Sequence, residues 1–158
     1  MKQQKGFTLI ELIIVIVILG IVAVTAAPRF FDFSKDARVS TIGGLKAAVQ
    51  GASQTVYAMA AINGELDETG THNGEAVADG GIATVYGYPA ATKVAIQTSA
   101  SLADSDWDFD ETTTAGTVYI MSKDVAYSAT ATEQCHVEYA QSTGANIAPI
   151  ITSHTGGC

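Results

Sequence analysis

The chain of 158 residues has room for one globular domain plus a segment committed elsewhere. Its formal charge of −8 is unevenly spread: residues 1–64 hold six Lys/Arg against three Asp/Glu, whereas residues 65–158 hold two against thirteen. So acidic a C-terminal part, without a basic stripe, repels a phosphate backbone and argues against nucleic acid as a partner.

The first element is an apolar run with one acid in it. Leu12 through Ala27 are sixteen residues without a charge, and only Glu11 stops the run from reaching back to Phe7. An acid at the centre of a membrane helix costs roughly 2.5–3.5 kcal/mol, so a partner for Glu11 is expected. The 21 residues from Phe7 to Ala27 would span about 31 Å as a helix, the thickness of a bilayer core. "AVTAAP" at 23–28 also reads as a signal-peptidase site, whereas Gly6, at the junction with the short charged head "MKQQKG", allows a cut that leaves the apolar segment attached.

"GFTLIEL", with Gly6 before Phe7 and Glu11 as the fifth residue after the junction, resembles the class III signal of type IV pilins and of the pseudopilins of type II secretion. The resemblance implies that a prepilin peptidase cuts between Gly6 and Phe7 and methylates the new amino terminus on Phe7. Pro28 falls at the family's characteristic position, the twenty-second residue of the processed chain. An ammonium on Phe7 and the Glu11 carboxylate would lie one turn apart. At ~4 Å and an effective dielectric of ~20 their attraction is about 4 kcal/mol, comparable to the burial cost. The pair can form within one chain or between neighbours, and the resemblance implies the neighbour's amine; the alternative is a snorkelling or locally hydrated Glu11. Lys2 and Lys5 on one side and Arg29, Lys35 and Arg38 on the other leave orientation open by charge count. The resemblance implies a cytoplasmic leader and a periplasmic head.

Beyond the apolar run, Ile42, Leu45, Val49, Ala52, Val56 and Met59 recur at spacings of 3, 4, 3, 4 and 3, one face of an amphipathic helix that Asn63-Gly64 would end. A single helix from Phe7 to about Ile62 would be ~84 Å long. Gly20, Pro28 and the Gly43-Gly44 pair weaken it, and the pair reads either as a bend or as a close approach of neighbouring subunits. Residues 64–88 read as a loop with one short strand at 82–86, and Pro89 as the first turn of a helix over 89–100. "TVYIMS" (117–122), "VAYSA" (125–129), "CHVEYA" (135–140) and "APIIT" (148–152) read as an antiparallel meander. A long helix laid on such a sheet is an α+β arrangement, matching the type IV pilin fold. The expected division is a leader over 1–6, a transmembrane or filament-core helix over 7–28, an amphipathic helix over 29–63, and a head over 64–158.

"IATVYGYPAAT" (82–92) together with "TAAPRFFDFSKDAR" (25–38) resembles, more narrowly, the major pilins of mannose-sensitive haemagglutinin (MSHA) pili, of the type IVa class. Tyr86-Gly87-Tyr88-Pro89 also reads simply as a turn with two aromatics against the core. If the head is exported, Cys135 and Cys158 would pair in an oxidising compartment, with roughly 3 kcal/mol from loop closure. The resemblance implies the same C-terminal disulfide loop, which major pseudopilins generally lack. Metal ligation by Cys135 finds no second ligand cluster.

"DSDWDFDE" (104–111) alternates, with Asp104, Asp106, Asp108 and Asp110 on one face of an extended chain and Trp107 and Phe109 on the other. It reads as an amphipathic edge strand or loop with solvated carboxylates. Calcium at these four aspartates is the alternative reading, although the stretch lacks the glycine at position six and the glutamate at position twelve of a calcium loop. His72, His136 and His154 are dispersed and read as exposed polar residues; no nucleophile, zinc or phosphate-loop motif is present, so neither an enzyme nor a cofactor is indicated.

These expectations converge on the precursor of a major type IVa pilin. The resemblance implies a helical homo-oligomer, with prepilin peptidase, the inner-membrane assembly machinery, minor pilins and a surface or glycan receptor as partners. It also implies an inner-membrane precursor that becomes an extracellular pilus serving attachment, biofilm formation and motility. The rivals are a major pseudopilin and a non-polymerising, membrane-anchored periplasmic binding domain.

Overall fold

The computed structural model describes residues 7–67, 69–72, 81–123 and 125–158, with residues 27–32 and 70–72 described by their backbone alone. The expected leader, 1–6, lies outside the described residues. The chain divides into two compact units, Met1–Ala37 and Arg38–Cys158.

The first unit is helical. Helix α1 (Leu9–Asn63) begins in it, and its backbone stays helical through Pro28. From Phe7 to Val24 every large apolar side chain is exposed. Near the proline, the Thr25 hydroxyl donates to the carbonyls of Val22 (3.0 Å) and Ile21 (3.3 Å).

In the second unit α1 buries Ile42, Leu45, Val49, Ser53, Val56 and Ala60. The expected face differs at its far end, where Ala52 is half-buried and Met59 exposed. The spacing of 3, 4, 3, 4, 3 averages 3.4 residues per turn, whereas a straight helix turns about every 3.6, so the buried stripe moves one position on with each few turns. Gly43 and Gly44 are exposed and helical, with nothing of this chain near either Cβ position. The helix ends as Asn63-Gly64 predicts. Gly64 has φ +76°, its amide donates to Ala61 and that of Glu65 to Ala60, a Schellman closure that satisfies two of the last carbonyls.

Two antiparallel sheets follow. One joins β1 (Gly70–His72), β2 (Ile82–Val85) and β3 (Tyr88–Pro89) in that order. The other is the meander β4 (Trp107–Asp110), β5 (Thr117–Ser122), β6 (His136–Ala140) and β7 (Ile150–His154), each strand beside its sequence neighbour. Strands β1 and β3 were not expected in the 64–88 loop. Tyr86 (φ 50°) and Gly87 (φ 82°) make a two-residue turn with both central residues left-handed, the geometry that suits a tight hairpin, and Pro89 pairs with Thr84. Pro89 therefore belongs to a strand and not to a helical first turn. Helix α2 (Lys93–Ala100) starts four residues later, where the Thr92 hydroxyl accepts from Ala95 N–H (3.3 Å) and the Glu111 carboxylate from Lys93 N–H (2.6 Å).

The expected strand at 125–129 is absent, because β5 already has β4 on one side and β6 on the other and offers no free edge. The core combines Ile42, Leu45 and Val49 of α1, Ile96 of α2, and Val118, Ile120, Val137 and Tyr139 of the meander. The architecture is α+β.

Candidate functional site

The first turn of α1 sets the site. The Thr8 hydroxyl accepts from Glu11 N–H (3.3 Å), while Glu11 Oε2 accepts from Thr8 N–H and from the Thr8 hydroxyl, both at 2.8 Å. This reciprocal pair satisfies amides that the start of a helix leaves without a partner, and it clamps the carboxylate in place. Both bonds arrive at Oε2. Phe7 is 87 % exposed beside it, and Gly6 lies outside the described residues. Sequence reasoning passed over Thr8, although Thr8-Leu-Ile-Glu11 is a legible capping box.

Leu9–Ala26 is long and apolar enough to cross a membrane, with mean hydropathy 3.0 and none of it buried. So large an uncovered apolar surface needs lipid or other helices around it. Gly20 lies within this stretch with open space at its Cβ position; of Pro28 the structure describes the backbone alone, which is helical.

At the other end of the chain, a disulfide joins Cys135 to Cys158 across a Cα–Cα distance of 4.9 Å. It ties the last residue to the start of β6, and Gly157 N–H donates to Gln134 (2.8 Å). Side chains at Gly156 or Gly157 would run into the backbone of Ala131 and Glu133.

The four acidic candidates at 104–110 are held apart by separate partners. Asp104 pairs with Lys93 (2.8 Å) and Asp108 with Lys123 (2.7 Å). Asp106 accepts from the Ser105 hydroxyl, while Asp110 accepts from Thr112 and from the Thr113 hydroxyl (2.6 Å). The bond from Lys93 lowers the Asp104 pKa and that from Thr113 lowers the Asp110 pKa; the bond to Asp108 raises that of Lys123. The expected alternation holds only within β4, an edge strand whose Trp107 and Phe109 pack on the core; Asp104 and Asp106 lie in the preceding turn. Among the described residues, no group of three or more His, Cys, Asp or Glu could hold a metal ion.

The expectation of three exposed histidines fails at His136, which is 2 % exposed and packs against Tyr119, Tyr127 and His154. His154 meets the Glu138 carboxylate at 3.1 Å. Strand alternation was the overlooked signal, because His136 and Glu138 share the face of β6 opposite Val137 and Tyr139.

Residues 1–27 match the family described as the prokaryotic N-terminal methylation motif. Among curated proteins, the chain is 47 % identical over 60 residues to the type IV narrow pilus major component PilA5 of Thermus thermophilus, covering 38 % of this chain and 48 % of that one. It is 46 % identical over 56 residues to a fimbrial protein of Pseudomonas aeruginosa, with 33 % and 36 % covered. With the type IV major alpha-pilin of Moraxella bovis it shares 48 % identity over 48 residues, 30 % of each chain. The chain thus spans less than half the length of each of these relatives. No solved structure gave a significant match. The methylation motif and the pilin relatives support a type IV pilin.

Proposed function

We propose that this chain is the precursor of the major structural subunit of a type IVa pilus of the MSHA kind, without catalytic activity. The observation that carries the reading is Glu11, a carboxylate clamped by Thr8 at the head of an otherwise uncovered apolar helix. Prepilin peptidase would cut between Gly6 and Phe7 and methylate Phe7. The 7–28 segment would anchor the subunit in the inner membrane and then form the filament core, with the 29–63 helix and the 64–158 head around it. In the filament Glu11 would take the Phe7 amine of a neighbour, setting the register between subunits, and Gly20 and Pro28 would give the core helix its compliance. The assembly machinery, minor pilins and a surface receptor are the partners this reading needs, and attachment, biofilm formation and motility the activities it serves. Calcium at Asp104, Asp106, Asp108 and Asp110 is no part of it.

The test is at the cut. The peptidase needs a residue without a side chain at its site, so a bulky substitution at Gly6 leaves precursor of unreduced mass in the inner membrane and no filaments. Filaments of normal length built from subunits starting at Phe7 in such a variant overturn the reading. Electron microscopy of sheared surface material, with mass identification of its protein, separates a pilin from a secretion pseudopilin and from a single anchored domain.

A further inference from the structure

The second unit carries an apolar notch and, at the far end of the same helix, an apolar projection. The notch, about 150 Å³, is lined by Arg38, Thr41, Ile42, Ser122, Val125 and Cys135. Arg38 on its rim is exposed. The projection is the last turn of α1, where Ile62 is 80 % and Met59 45 % exposed. Thr41 and Ile62 lie about 32 Å apart along the helix and about 60° apart around it.

The charges around the two places are opposite. No basic residue stands in the last turn of α1, so the negative end of the helix dipole is left without the cation that usually offsets it. Glu65 and the exposed Asp67 follow directly and add to the negative field. An apolar tip followed by negative charge stands exposed at one end, and an apolar recess with a guanidinium at its edge opens at the other.

We infer that the notch at Arg38, Thr41 and Val125 receives the Ile62 tip of a second copy of this chain, with Arg38 facing that copy's Asp67 and helix end. The inference rests on the polymer reading above and adds to it a particular contact between heads. Burial of Ile62 in the recess supplies the apolar part, and the opposite charges fix the orientation. The two surfaces differ, so the contact is head-to-tail. Every copy that joins leaves one notch and one tip free, which gives an open-ended assembly and not a closed dimer.

The test uses the full chain expressed in a pilus-forming cell, with cysteines placed at both ends of the contact. Sheared filaments of the Ile62→Cys, Val125→Cys double variant, oxidised on ice, should run as a ladder of covalent multimers on a non-reducing gel, whereas either single variant should run as monomer. Monomers from oxidised double-variant filaments overturn the inference, as do dimers from Ile62→Cys alone, which would mean a two-fold contact, or a cross-link from position 125 to a different protein. If the added cysteines prevent accumulation, charge exchange reads the same contact. Arg38→Glu should lower filament yield at least about fivefold, and adding Asp67→Lys should restore it; yield that Arg38→Glu leaves unchanged, or that Asp67→Lys does not restore, overturns it. Wild-type filaments without the contact refute this inference alone, whereas the absence of wild-type filaments refutes the polymer reading itself.

Discussion

The Tyr139 hydroxyl donates to the Pro89 carbonyl oxygen at 2.6 Å, joining β6 of the meander to β3 of the smaller sheet across 50 residues of sequence. The ring is fully buried in the core, so neither member of this bond has water to fall back on. Burial first, and Tyr88 second, push the Tyr139 pKa well above the ordinary 10.0. Because the folded value is the higher one, the contribution to stability is fully present below pH 10 and is lost as pH rises through the folded pKa. Tyr139→Phe should cost about 1–3 kcal/mol, read as a lower Tm, and should remove one late-ionising phenol from the ultraviolet titration. An unchanged Tm would show that the Pro89 carbonyl has another donor.

His136 gives the acid limb. Burial, and then the neighbouring His154, depress its pKa below 6.5, while Glu138 opposes them; Tyr119 and Tyr127 cover the ring. A depressed pKa means that the unfolded chain binds the proton more readily. The stability from keeping this ring neutral is therefore present above pH 6.5 and lost as pH falls through the folded value. Thermal melts of the detergent-solubilised chain should show Tm falling from pH 7 to pH 5, with a shallower fall in His136→Phe. Equal slopes in the two proteins would assign the acid sensitivity elsewhere.

At the other end of the molecule, Thr8 and Glu11 should separate into two phenotypes. Glu11→Ala improves the segment as a membrane helix, so insertion should survive while assembly fails and subunit accumulates. Thr8→Val keeps the carboxylate but removes its clamp and the N-cap, worth about 1 kcal/mol, so filaments should form in reduced number. The readouts are subunit level by immunoblot and filament count by microscopy. Wild-type filament numbers from Glu11→Ala would remove it as the register residue.

The interval from Gly20 to Pro28 is helical in this chain, yet Pro28 deprives the Val24 carbonyl of its amide and Gly20 lowers helix propensity four residues before it. Once neighbouring helices replace lipid, the stretch should adopt an extended or irregular backbone somewhere within those limits. A pulled filament could then lengthen and recover without breaking subunit contacts. A filament map with unbroken i to i−4 bonding from Phe7 to Ala27 would refute this.

What could be read ahead of the structure follows the strength of local signals. The end of α1 at Asn63 and the limits of β5 at Thr117 and Ser122 were legible because a glycine stop and a β-branched run each act within a few residues. The drift of the buried stripe from Met59 to Ala60 needed the pitch of a real helix, which a heptad-like count hides. Residues 125–129 have strand-like composition but no partner, and only topology says so. At the candidate site Glu11 was conspicuous by its cost, while Thr8 was not, since a hydroxyl in an apolar run costs little and shows its use only through the bonds it makes.

The chain has two cysteines and they are bonded to one another. Within a single chain the oxidation has one product, and scrambled isomers, the usual hazard of oxidative folding, do not exist for it. The bond joins the residue before β6 to one beyond β7, so in synthesis it can close only after both strands have been made. A product that breaks off between the two cysteines keeps a free thiol at Cys135, a chemical difference that tells a head with β7 tied down from one without it.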